Sequence, residues 1–191
     1  GERAAGNGAA MRIAPVALLL DLEEWGDRQT FGDVVRITHK NEEALAGAQA
    51  QALSIRYLLE HRSPRPGALY AAVASGMFDS HTRDRLEAMA KAPPASYGEA
   101  ASKIGTSGFA AHSVPVAMVA AMAVIGGEEV EAMWRQIVAC GGDTDTIASM
   151  AGQLVGVAQG FDALPTGLLA GMRARSPHLD EVFGAFASAL E

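Results

Sequence analysis

The sequence predicts an all-α fold, and three observations carry that prediction. Apolar positions recur every three or four residues along most of the chain, whereas no stretch alternates apolar and polar long enough to make a strand. Only 6% of residues are aromatic and alanine is the commonest type, so the core is built from small and aliphatic side chains, which favours helices packed on helices. With 49% hydrophobic and 19% charged residues the chain is too apolar to stay disordered, and 191 residues suit one domain.

The first helix is expected over residues 14–25 and a short second one over 32–38, so that Thr38-His39 closes it. Residues 41–62 follow as a long amphipathic helix. Leu45, Ala48, Ala52, Ile55 and Leu59 step by three and four, and Glu42 and Glu43 lie in the first turn, where the helix dipole favours carboxylates. Shorter helices are predicted over 67–76, 83–91, 97–103, 114–125, 128–140 and 179–190. Ser63-Pro64-Arg65-Pro66-Gly67, Pro93-Pro94-Ala95-Ser96 and Gly105-Thr106-Ser107-Gly108 punctuate them. Residues 147–160 are helical in period too, with Gly152, Gly156 and Gly160 at every fourth position. Glycines at that spacing let a neighbouring helix approach closely, which offsets a cost of about 1 kcal/mol each against alanine.

Charge and cysteine usage narrow the function classes. Fifteen basic against 22 acidic residues give a net charge of −7, which disfavours a cationic nucleic-acid binder. The single cysteine, Cys140, excludes an intrachain disulfide framework, fits a reducing, cytoplasmic setting and is expected to be a buried thiol. The longest apolar run, 114–125, ends at Gly126-Gly127-Glu128-Glu129, short of the roughly 18 residues a membrane span needs. The chain starts without Met and without a basic-then-apolar leader, so it is expected to have been cut or truncated upstream.

Three segments could carry chemistry. Gly141-Gly142-Asp143-Thr144-Asp145-Thr146 stands directly before a helix and offers two carboxylates and a hydroxyl, the hard oxygen ligands that suit Mg²⁺, Mn²⁺ or Ca²⁺. The same residues could simply cap the helix through Asp143 or Thr144. No histidine joins them, so a tetrahedral zinc site is disfavoured. Gly6-Asn7-Gly8-Ala9-Ala10-Met11-Arg12 is a glycine-flanked turn before a helix, suited to phosphate through its backbone N–H groups, although taken alone such a loop reads first as a plain turn and cap. His39 near a helix end serves either the dipole or a site.

In this order and spacing, Gly-Asn-Gly-x-x-Met-Arg at residues 6–12, Thr38-His39, Ser107-Gly108-Phe109 and Gly-Gly-Asp-Thr-Asp-Thr-Ile at 141–147 resemble the ADP-ribosylglycohydrolase family, which includes the dinitrogenase reductase-activating glycohydrolases. The resemblance implies a compact orthogonal helical domain, of which residues 1–191 are the C-terminal portion without the N-terminal helices. It also implies hydrolysis of the N- or O-glycosidic bond joining ADP-ribose to a protein side chain, at a binuclear Mg²⁺ or Mn²⁺ centre. Asp143, Asp145 and Thr146 would then be metal ligands. Gly6, Asn7 and Gly8 would hold the pyrophosphate, His39 would line the phosphate side, and Phe109 would lie near the nucleotide.

The family's Thr-Asp-Asp-Thr motif and its acidic Gly-Asp-Ala segment are not found here, so the catalytic residues are expected upstream of Gly1, in cis or on a separate chain. The chain alone is then expected to be inactive, and helices such as 147–160 to lack packing partners and leave an apolar face exposed. Two rival functions stand beside the enzyme: a catalytically inactive module binding ADP-ribose or a nucleotide, and a plain helical interaction subunit. The linkage that is cleaved depends on residues outside these motifs.

Overall fold

The computed structural model describes residues 5–190; the chain start, where an initiator Met or leader would be sought, lies outside them. Among the described residues there are α-helices and two short 3-10 turns, with no strand beyond one isolated bridge between Gly6 and Phe109. The helices are α1 Ala14–Leu19, α2 Trp25–Arg36, α3 Glu42–Glu60, α4 Pro66–Ser75, α5 His81–Lys91, α6 Tyr97–Ile104, α7 Ala110–Ile125, α8 Val130–Cys140, α9 Thr144–Gln159, α10 Thr166–Arg175 and α11 Leu179–Ser188.

Helix α3 runs through the centre and touches α1, α2, α4, α5, α7 and α9. Its buried face is largely alanine, and at Gly47 even a methyl group is too much: an added Cβ would sit 2.7 Å from the Cβ of Ala110 on α7. Backbone-to-backbone proximity, which the alanine-rich composition foreshadows, is what lets α7 lie against α3. Helix α7 is buried at nearly every position, and the helix it lies against most extensively is α9, whose Ile147, Met150, Ala151, Leu154 and Val155 are fully buried.

Helix α3 begins with Asn41, whose side-chain oxygen accepts the Glu43 N–H at 2.9 Å, so Asn41 is its N-cap. Glu43 itself reaches across to α5. Its carboxylate accepts the His81 N–H at 3.0 Å, the Thr82 N–H at 2.7 Å and the Thr82 hydroxyl, which satisfies free donors at the start of α5. Replacing Glu43 by Ala leaves those donors without this acceptor and is expected to cost about 2 kcal/mol in urea unfolding. A loss under about 0.5 kcal/mol would show the tie to be incidental.

Several expectations are corrected. The first helix stops at Leu19 because Asp21 forms its own turn, accepting the Glu23 N–H at 3.0 Å through its side chain, which competes with helix continuation. The second begins at Trp25 and ends at Arg36, so His39 lies beyond its end. Helix α7 starts four residues before Val114 and carries Pro115 inside it. Helix α10 was not predicted, because Gly167 and Gly171 interrupt the few apolar positions that could mark a face.

The glycine ladder of α9 also behaves differently. Cβ atoms added at Gly152, Gly156 and Gly160 would meet nothing within 4 Å, since the apolar residues of α9 take the opposite face and Gly160 ends the helix at φ +84°. Far from lacking partners, α9 is the best-packed helix on α7. Uncovered large apolar side chains lie instead at Trp25, Ile37 and Val138 and along the C-terminal segment, at Phe161, Leu168, Val182 and Phe183. Cys140 is exposed rather than buried, standing at the last position of α8 beside the Gly141 turn. Among the described residues no helix is long and apolar enough to cross a membrane.

Candidate ligand and metal site

Four sequence-distant segments meet where α9 begins. The Gly6 loop pairs with the loop before α7: the Asn7 N–H donates to the Gly108 carbonyl at 3.0 Å and the Ala110 N–H to the Ala5 carbonyl at 2.9 Å. The acidic loop joins them through the Asp143 N–H, which donates to the Thr106 carbonyl at 2.7 Å. Gly141 and Gly142 make this turn possible at φ +71° and +86°, a region that side chains other than glycine avoid. At Gly108 the missing side chain leaves room for Asp143, whose Oδ2 would be 3.4 Å from an added Cβ.

Asp143 occupies the N-cap position of α9, yet its side chain makes no capping bond. Its Oδ2 instead accepts from the Asn7 side-chain amide at 2.6 Å, across 136 residues of chain. Asp145, two residues on, is exposed, and its side chain makes no hydrogen bond or ion pair among the described residues. Thr146 is buried, and its hydroxyl has only the Met11 sulfur at 3.9 Å, a weak partner that leaves its lone pairs unused. Gln153 on α9 donates to the Met11 carbonyl at 2.6 Å and accepts from Gln51 of α3, which fixes the far end of the Gly6 loop to the core.

His39 covers that loop from the other side. An added Cβ at Gly8 would come within 3.0 Å of its Cε1 and 3.2 Å of its Nε2, and one at Gly6 within 3.6 Å of Nε2. Arg12 donates to the Thr38 hydroxyl at 2.6 Å, and that hydroxyl lies 2.7 Å from His39 Nδ1. Because the Arg12 guanidinium can only donate, the Thr38 proton is free to go to Nδ1, which leaves the imidazole hydrogen on Nε2, facing the glycines. Burial, and secondarily the Arg12 charge, hold His39 below its ordinary value and so favour this neutral form. Among the described residues the N–H groups of Gly8 and Ala9 have no acceptor. Ala9 is fully buried, so the Gly8 N–H, the imidazole N–H and the nearby guanidinium are the groups that together suit an anion.

Phe109 is half-buried, with its ring edge-on to His112 at a centroid distance of 5.0 Å. His112 Nδ1 lies 2.9 Å from the Ser107 hydroxyl, which in turn accepts the Phe109 N–H, so the loop carrying Phe109 is tied at both ends. His112 is lowered by burial and by Arg85. Sequence reasoning quoted Arg12 and Ser107 within their motifs without giving them a role, and missed His112 and above all Ser113, a fully buried hydroxyl in α7 that accepts from Asn7. Its one legible signal is a lone polar residue beside the apolar run 114–125. A cleft of about 350 Å³ lined by Asp21, Arg56, Tyr57 and Glu60 involves none of these segments.

Oxygen donors of the acidic loop have the chemistry a divalent cation needs: the second oxygen of Asp143, both oxygens of Asp145 and the under-used Thr146 hydroxyl. They do not fill a coordination shell. Among the described residues no three His, Cys, Asp or Glu side chains come together in a way that could hold a metal.

Comparison with known proteins adds two findings. Residues 1–190 match the sequence pattern of the ADP-ribosylglycohydrolase family. The chain is also similar to human ADP-ribosylhydrolase ARH3, with 26% identity over 194 aligned residues covering 86% of this chain and 53% of that protein. It therefore spans about half the length of the curated relative it matches.

Proposed function

Since this chain belongs to the ADP-ribosylglycohydrolase family, we propose that it works in an enzyme that releases ADP-ribose from modified protein side chains with the help of a divalent metal. The observation that supports the reading best is the Asn7–Asp143 hydrogen bond, because it puts the anion-suited loop and the acidic loop into direct contact. We assign residues 1–191 to the C-terminal part of one family domain and place the protein in the cytoplasm, a setting its free thiol suits.

Each segment has a part in this proposal. The Gly8 N–H and the His39 Nε2–H receive the pyrophosphate, whose charge Arg12 partly balances. Phe109 offers a ring face to the nucleotide, held by the Ser107–His112 tie. Asp143, Asp145 and Thr146 would hold the cation, Mg²⁺ or Mn²⁺, and the chemistry it would supply there is Lewis-acid stabilisation. A binuclear centre needs further ligands, and we place these, together with the residues that complete the active site, outside the described set. Orientation of the bound ribose is what the protein itself contributes here, since fixing the reacting groups removes much of the entropic barrier.

Gly8→Val tests the loop. Gly8 does not have a positive φ, so the change is tolerated by the backbone, but its side chain pushes on the His39 ring. ADP-ribose affinity, measured by calorimetry on folded protein, is expected to fall at least tenfold with a melting temperature within a few degrees of the parent. Unchanged affinity would remove the pyrophosphate assignment. A second reading, a module that binds ADP-ribose without cleaving it, is favoured by the absence of a third acidic, His or Cys side chain from the cluster among the described residues. Binding without turnover in the presence of metal would select it.

A further inference from the structure

Within the proposed metal-assisted site, and resting on that reading, one side-chain amide has both its N–H donors committed to protein groups. Asn7 is buried, at 7% exposure, and its amide nitrogen donates to Asp143 Oδ2 at 2.6 Å and to Ser113 Oγ at 2.9 Å. Ser113 is completely buried, and its own proton goes to the Phe109 carbonyl at 3.2 Å, so towards Asn7 it can only accept. The amide orientation is thereby fixed: turned over, it would set its carbonyl oxygen against a carboxylate oxygen and against a hydroxyl with no proton to give. The backbone N–H of Asn7 is committed too, to Gly108.

We infer that Asn7 is a positioning residue, which with Ser113 behind it as an anchor on α7 orients the Asp143 carboxylate and leaves one oxygen for the cation, and that its side-chain N–H groups are not donors to the phosphates of the ADP-ribosyl group. Both amide hydrogens are spent on protein acceptors, so contact with a phosphate would require breaking a charge-assisted bond in a buried place. Such a strut matters because Asp143 has no capping bond to hold its side chain, and an unrestrained carboxylate loses rotamer freedom whenever it takes a metal. The same residue joins the two loops, so its removal affects cation binding first and the anion loop second.

The test is Mn²⁺ titration of the full-length protein by electron paramagnetic resonance, with substrate KM and kcat measured alongside. Asn7→Ala is expected to weaken Mn²⁺ about tenfold and lower kcat, while KM for the ADP-ribosylated substrate stays within about twofold. Ser113→Ala, which removes one oxygen and adds no volume, should weaken Mn²⁺ about threefold, and the double variant should bind no worse than Asn7→Ala, since both act through one strut. If Asn7→Ala fails to fold, the Ser113→Ala result decides. Parent-like Mn²⁺ affinity in both variants together with a raised KM overturns the inference and makes Asn7 a substrate ligand. The metal reading is checked separately by Asp143→Ala. Loss of Mn²⁺ there with no change in the Asn7 and Ser113 variants overturns this inference alone, whereas Mn²⁺ binding unaffected by Asp143→Ala overturns both.

Discussion

Gly142→Ala is expected to destabilise the protein by on the order of 3 kcal/mol and to abolish both cation and ADP-ribose binding. Two independent penalties act at this position. The backbone is at φ +86°, where a side chain is strained, and the new methyl would overlap the carbonyl oxygen and the hydroxyl of Thr106. That carbonyl is the acceptor for the Asp143 N–H, so relief of the overlap moves the acidic loop off its anchor. Gly141→Ala is the control, having φ +71° but no atom within 4 Å of an added Cβ; it bears the strain without the overlap and should cost about 1 kcal/mol. Chemical unfolding of the two variants checks the difference. Equal losses would mean that contact with Thr106 plays no part in holding the loop.

The second large effect is expected at Asp143. Asp143→Asn keeps an oxygen able to accept from Asn7 and almost the same volume, so stability should stay within about 1 kcal/mol of the parent. It removes the negative charge that a hard cation requires, and Mn²⁺ affinity is expected to fall at least a hundredfold. A structural cap would respond in the opposite way, with stability lost and metal binding indifferent. The absence of any capping bond from the Asp143 side chain is the reason to expect the first pattern.

Much of this arrangement was legible in residues alone. Period and composition identify α3 through α9 to within a few residues, because those helices bury a face and the apolar pattern records it. Helix α10 is missed because Gly167 and Gly171 interrupt its few apolar positions, whereas α11, which buries no more, keeps a readable apolar period. Where a side chain overrides the period, as Asp21 does, a helix expected to reach Trp25 ends at Leu19. Glycine spacing misleads for a related reason: it gives a face of α9 without saying what lies opposite, and the close approach sits at Gly47 instead. The motif segments were readable one by one, but their joints were not. Asn7 to Ser113, Asn7 to Asp143 and Glu43 to Thr82 are contacts across 106, 136 and 39 residues, and no local pattern encodes them.

The most direct test of the account is release of free ADP-ribose from an ADP-ribosylated protein by the full-length protein, with Mg²⁺ or Mn²⁺ and in chelator, beside Asp143→Asn. Metal-dependent multiple turnover that falls at least a thousandfold in Asp143→Asn is the predicted result. Tight ADP-ribose binding with no release under any metal, or release that Asp143→Asn leaves intact, would contradict it.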